Sequence, residues 1–119
     1  MNEFRHWTET ARPVWEYLRK VFQTKEIQVN EFGADLTVGG KNVEVKSCRE
    51  WIKDAGANGK RRRGRFHFQH ENDAQYIVFV LIREDGTLVF KTVSGYQYKL
   101  KKGTKALPWP DVFAPGLGL

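Results

Sequence analysis

Asp35, Glu44 and Lys46 have the types and spacing that phosphodiester chemistry asks for. Hydrolysing such a bond needs a metal to neutralise charge and a water made nucleophilic. Mg²⁺ takes oxygen ligands, often one or two carboxylates completed by water and phosphate. Gly39-Gly40 separates two β-prone runs and reads as a two-residue hairpin turn, because glycine accepts positive φ at both central positions. A turn centred there pairs Val38 with Lys41 and carries Asp35 opposite Glu44. The Cβ atoms of such a pair lie ~4.5–5.5 Å apart, which lets both carboxylates reach one ion. Lys46 follows Glu44 by two residues on the same strand face, where its ammonium can hold the attacking water or the developing charge. The same three residue types also make ordinary solvated hairpin faces, whose ion pairs stabilise by ~0–1 kcal/mol.

These residues need a hairpin to hold them and a core to hold the hairpin. Residues from about Thr10 to Phe22 predict a helix. Thr10 can cap it, Pro13 falls in the first turn, and Ala11, Val14, Trp15, Leu18, Val21 and Phe22 make one apolar face. Glu26 to Phe32 alternates at a strand-like period, and Ala34 to Val38 is a second strand. Asn42 to Ser47 is a third, sending Val43 and Val45 to one face and Glu44 and Lys46 to the other. Ala74 to Arg83 contains YIVFVLI, almost without a polar break, and predicts a strand buried on both faces at a sheet centre. Asp85-Gly86 turns the chain into a strand over Thr87 to Ser94, and Tyr96 to Leu100 is a candidate edge strand. The stretch from Arg49 to Asp73 reads as irregular, and the tail from Leu107 as a proline- and glycine-rich segment whose Trp109 and Phe113 pack on the body.

The segment Gly33-Ala34-Asp35-Leu36, a glycine turn, then Val43-Glu44-Val45-Lys46 resembles the PD-(D/E)XK nuclease superfamily. In outline it is similar to archaeal Holliday-junction resolvases and small restriction-type endonucleases. Ala34 stands where the family usually has a proline. The likeness covers roughly Thr10 to Leu81, and its strong part is Gly33 to Ser47. It implies a restriction-endonuclease-like α/β fold, a mixed β-sheet with a flanking helix or helices in a single domain over residues 1–119. It also implies a Mg²⁺- or Mn²⁺-dependent endonuclease, with Asp35, Glu44 and the Val45 carbonyl as metal ligands and Lys46 as the catalytic cation. A helix glutamate often joins such a site, and Glu16 suits that spacing, with Glu9 as second choice. Glu16 faces away from the apolar stripe, which also fits a solvated residue paired with Lys20. Some members carry an auxiliary glutamine after Glu-x-Lys, and Gln69 is the candidate for that role.

Directly after the Lys46 strand the chain turns basic. Arg49, Lys53, Lys60, Arg61, Arg62, Arg63 and Arg65 stand against only Glu50 and Asp54. Arg and Lys supply most phosphate contacts, so this segment is a candidate DNA-contacting loop, made flexible by the glycines around it. A solvated charge run is the alternative. Trp51 either packs inside or stacks on a base. Alternation puts Phe66, Phe68 and His70 on one face, with His67 and Gln69 on the other. A zinc site built on His67 and His70 lacks further ligands, and Cys48 reads as a small packing residue.

The 119 residues, 40% of them hydrophobic and 13% aromatic, can build one core and do not suit a disordered chain. A net charge of +6 favours a polyanionic partner, here duplex or branched DNA. The single cysteine forms no internal disulfide, and no apolar run resembles a signal peptide or a membrane span, so a cytoplasmic protein is expected. One small site per chain makes a homodimer the expected arrangement for cutting both strands. Two other readings remain open: a non-catalytic DNA- or RNA-binding module on a nuclease-like scaffold, and a basic structural protein.

Overall fold

Helix α1 spans Ala11–Val21, and its sequence explains both its face and its end. Val14 and Leu18, one turn apart, are fully buried, while Arg12, Glu16, Arg19 and Lys20 are exposed. Arg19 and Lys20 lie in the last turn, where the helix dipole favours cations. Val21, expected on the apolar face, is 43% exposed because it falls at the edge of the stripe. The helix stops where Gln23 takes φ 51° and the Thr24 N–H donates to the Arg19 carbonyl at 3.2 Å, the wrap-around bond of a Schellman-type end. The computed structural model describes residues 11–30, 35–53, 60–68, 74–95 and 106–113.

Within those residues the chain continues through nine strands and a second helix: β1 Ile27–Val29, β2 Leu36–Val38, β3 Lys41–Arg49, β4 Trp51–Lys53, β5 Arg61–Arg63, β6 Arg65–His67, β7 Tyr76–Ile82, β8 Leu88–Ser94, β9 Ala106–Pro108 and α2 Trp109–Phe113. Five strands form a sheet in the order β1-β2-β3-β7-β8. β1 to β3 is an antiparallel meander. β3 and β7 run the same way, since Gln75 donates to Asn42 at one end and Glu50 to Ile82 at the other. The sheet is therefore mixed, and the chain is an α/β protein. Between β7 and β8 the chain turns through Glu84-Asp85-Gly86, with Gly86 at φ 88° and Asp85 accepting both the N–H and the hydroxyl of Thr87. The Tyr96 to Leu100 candidate strand lies outside the described residues.

The chain divides into two compact units. One holds residues 1–45, 72–77 and 93–99; the other holds 46–71, 78–92 and 100–119. In the first, Val14, Leu18, Leu36, Val38, Val43, Val45 and Ile77 are all fully buried. Phe22 meets Tyr76 edge-on at 5.2 Å. In the second, Phe66 packs edge-on against Phe79 at 4.8 Å and Phe113 lies 6.1 Å from Phe66. Val78 to Leu81 are 0% exposed, so this strand is buried on both faces, as its unbroken apolar run predicts. Trp109 and Phe113 are buried as expected, but from a short helix, with β9 before it, that the prolines of the tail had concealed.

The stretch from Arg49 to Arg65, expected as a flexible loop, is instead largely β-structure where it is described. Arg49 ends β3, β4 pairs with β5, and Arg65 begins β6, which pairs with β9. Gly64 is the pivot between β5 and β6. Its N–H donates to the Glu50 carbonyl at 3.3 Å and its carbonyl accepts from Trp109 N–H at 3.1 Å. A Cβ at this position would stand 1.9 Å from the Arg49 carbonyl oxygen, so only glycine permits the approach.

Candidate functional site

The hairpin of β2 and β3 is built as its sequence predicts. Gly39 and Gly40 take φ 54° and 81°, the two left-handed positions of a type I′ turn. Val38 pairs with Lys41, Thr37 with Asn42, and Leu36 with Val43. One step further, Asp35 falls opposite Glu44. Two crossed hydrogen bonds fix the pair: Asp35 N–H donates to Glu44 Oε1 at 2.9 Å, and Val45 N–H donates to Asp35 Oδ2 at 3.0 Å. Each carboxylate is thus held by the backbone of the other's strand. Both are half-buried, so these charge-assisted bonds are sheltered from bulk water.

A second layer holds Asp35 from the other side. Asn30 N–H donates to the Asp35 carbonyl at 2.9 Å. The Asn30 side chain bonds the Thr37 hydroxyl, its amide nitrogen donating at 2.9 Å and its carbonyl oxygen accepting at 3.1 Å. Sequence reasoning does not single out Asn30 or Thr37. A signal for them exists, because Thr37 shares the strand face of Asp35, two residues away, and β1 pairs with β2 in register. The opposite face of this meander is apolar, with Leu36, Val38, Val43 and Val45 sealed in the core.

The donor set suits a hard divalent cation. Asp35 and Glu44 offer carboxylate oxygens, and Val45, between Glu44 and Lys46, offers a carbonyl. Among the described residues no group of three or more His, Cys, Asp or Glu is placed to hold a metal. Water and phosphate would therefore supply the remaining ligands, as is usual for Mg²⁺. Glu16 does not complete the set: its side chain is 63% exposed and pairs with Arg12 at 3.2 Å, not with Lys20. Glu9 lies outside the described residues.

Lys46 opens the second unit, on the same continuous strand β3. Its ammonium lies 5.3 Å from the centre of the Phe68 ring, a cation–π contact that helps anchor the side chain. Strand alternation slips just beyond it, with Lys46 and Ser47 both half-buried and Cys48 buried. Burial pushes the Cys48 thiol up to about 12, which keeps it protonated and makes it a packing residue, not a nucleophile.

Of the basic residues, Arg49, Lys60, Arg61, Arg62, Arg63 and Arg65 are exposed. The β4–β5 register sets Trp51 opposite Arg63, Ile52 opposite Arg62, and Lys53 opposite Arg61. Trp51 is half-buried, and the Arg61 and Arg63 guanidiniums lie 5.3 and 5.8 Å from its ring centre. Phe66 and Phe68 are buried and His67 exposed, as alternation predicts; Gln69 and His70 lie outside the described residues. Glu50, in sequence terms only a counter-charge, is the junction of this unit. Its carbonyl accepts from Gly64 N–H and from the Trp109 indole, and its carboxylate accepts from Glu84 N–H at 3.0 Å.

No helix among the described residues is long and apolar enough to cross a membrane. A scan against protein-family models finds no match for this chain, and a search of curated proteins finds none either.

Proposed function

We propose that the chain is a Mg²⁺- or Mn²⁺-dependent DNA endonuclease, with Asp35 and Glu44 as its metal-holding carboxylates. The observation that carries this reading is the crossed pair of hydrogen bonds, which fixes two carboxylates side by side on adjacent strands. Like charges on directly opposed strand positions repel each other, an arrangement that a divalent cation relieves. The resemblance of Gly33 to Ser47 to the PD-(D/E)XK superfamily supports it, and the fold we infer is a restriction-endonuclease-like version of the mixed sheet. The bound metal would polarise the phosphate and lower the pKa of a coordinated water. Asp35 and Glu44 orient that centre, Val45 contributes its carbonyl, and Lys46 steadies the charge that grows as water attacks. Cutting both strands of a duplex or a junction then takes two chains.

The test is to incubate the protein with plasmid, branched and single-stranded DNA, in Mg²⁺ or in EDTA, beside Glu44→Gln. Cleavage that needs Mg²⁺ and vanishes in Glu44→Gln is the expected result. Binding without cutting under every condition refutes the nuclease and leaves the arginine-bearing strands as the functional element, a non-catalytic nucleic-acid-binding module.

A further inference from the structure

Strands β4 and β5 form a two-stranded ribbon, and its arginines are ordered by a chain of contacts. Glu84 Oε1 accepts from Arg61 at 2.6 Å, and the Arg61 guanidinium lies 5.3 Å from the Trp51 ring centre. The Arg63 guanidinium lies 5.8 Å from Trp51 and 5.8 Å from Trp109. Trp109 is itself fixed, 7% exposed and donating its indole N–H to Glu50 at 2.9 Å. Arg62 stands on the opposite face of the ribbon, beside Ile52.

A ring attracts a guanidinium through its quadrupole and not through an oxygen acceptor, so the contact does not commit all five N–H donors with which a guanidinium binds phosphate. Trp51 and Trp109 therefore hold Arg63, and Trp51 helps hold Arg61, without consuming the donors that phosphate needs. Ordering these long side chains beforehand removes part of the entropy cost of binding. The same contacts place two cations against Trp51, so a stacking base competes with them for the ring.

We propose that the β4–β5 ribbon binds DNA through its sugar-phosphate backbone, with Trp51 as a scaffold for Arg61 and Arg63 and not as a stacking platform for bases. Glu84 competes with phosphate for Arg61, so the ribbon carries its own internal counter-anion. This deepens the nuclease reading by naming how substrate is held, and it also stands without it, because the contacts require no metal.

The experiment measures binding of the full chain in EDTA, where a metal-dependent cleavage is silent. The probes are a duplex, a single strand and an abasic single strand of equal length, with inorganic polyphosphate as competitor. Abasic and base-bearing strands should bind alike, and polyphosphate should displace both. Arg63→Ala should lower the slope of log affinity against log salt by about 0.7–0.9. Glu84→Gln should tighten binding and steepen that slope, because Arg61 then meets phosphate without its competitor. A stacked base contributes about 5- to 150-fold in affinity, so a loss of that size with the abasic strand overturns the proposal. An unchanged slope in Arg63→Ala, or failure of polyphosphate to compete, also overturns it. Normal cleavage in Mg²⁺ with unchanged ribbon-variant binding would sink this proposal alone; tight backbone binding with no cleavage would sink only the nuclease.

Discussion

Replacing Glu44 separates its structural from its chemical role, because one of its oxygens has an identified partner. Glu44 Oε1 accepts the Asp35 N–H at 2.9 Å, in a half-buried position. Glu44→Ala removes that acceptor and leaves the N–H without it, which costs about 1–3 kcal/mol. Glu44→Gln keeps an oxygen in place. It exchanges a charge-assisted bond of about 1.5–3 kcal/mol for a neutral one of about 0.5–1.5, a loss of about 1 kcal/mol. Relief of repulsion from Asp35 offsets part of that loss. At about 3–6 °C per kcal/mol for a chain of this size, Glu44→Ala should melt well below wild type and Glu44→Gln only slightly below it. Both should lose the metal. Thermal melts in EDTA and in Mn²⁺ read the two effects on one sample, since a ligand at about a hundred times its Kd adds about 2.7 kcal/mol to stability. Wild type should gain that shift and Glu44→Gln should not. An equal Mn²⁺ shift in Glu44→Gln would refute the carboxylate assignment, and an unchanged melt in Glu44→Ala would refute the crossed-bond account of the hairpin.

Lys46→Ala should bind DNA and Mn²⁺ nearly normally while single-turnover cleavage slows by about 10²–10³-fold, and Lys46→Arg should recover little; cleavage at the wild-type rate would remove Lys46 from the chemistry. Gln23→Gly should stabilise the fold by about 1 kcal/mol, because φ 51° at the end of α1 is a left-handed conformation that glycine adopts freely, and a melt at or below the wild-type midpoint would refute this. Cys48, raised by burial to about 12, should resist alkylation in the folded protein at neutral pH and react at the ordinary rate in urea. Its folded pKa stands above its unfolded one, so its contribution to stability is full below about pH 9 and declines as pH rises towards 12, which urea titrations across that window can read.

The β2–β3 hairpin was legible because several local signals agreed. Gly39-Gly40 fixed the turn, Val43 and Val45 fixed the buried face, and the two together place Asp35 opposite Glu44 from spacing alone. β7 was legible for a similar reason, since a run such as YIVFVLI has few stable places outside a sheet centre. The ribbon was not. Arg61, Arg62 and Arg63 carry the same charge on alternate faces, so the period of two that marks a strand is invisible in polarity. What orders Arg61 and Arg63 is Trp51, earlier in the chain, and, for Arg63, Trp109, far later. The same holds for α2, where Pro108 and Pro110 suggest an irregular tail and only burial of Trp109, Val112 and Phe113 makes a helical turn worth forming. Glu16 looked promising by spacing alone, and its neighbour Arg12 claims it. Asn30 and Thr37 were not legible because amides and hydroxyls in strands are common, and their bond to each other is a tertiary fact.

Glu50 ties four otherwise separate protons to one residue. Its own N–H is held by Ile82, its carbonyl holds the Gly64 amide and the Trp109 indole, and its carboxylate holds the Glu84 amide. None of these can be released singly without disturbing the residue that anchors the rest. In hydrogen–deuterium exchange they should behave as one cooperative opening unit, with closely matched protection and a common response to denaturant. The root of the ribbon would then open only when β3, the β7–β8 turn and α2 let go together, so its arginines are displayed on a mount as stable as the core strand beside it.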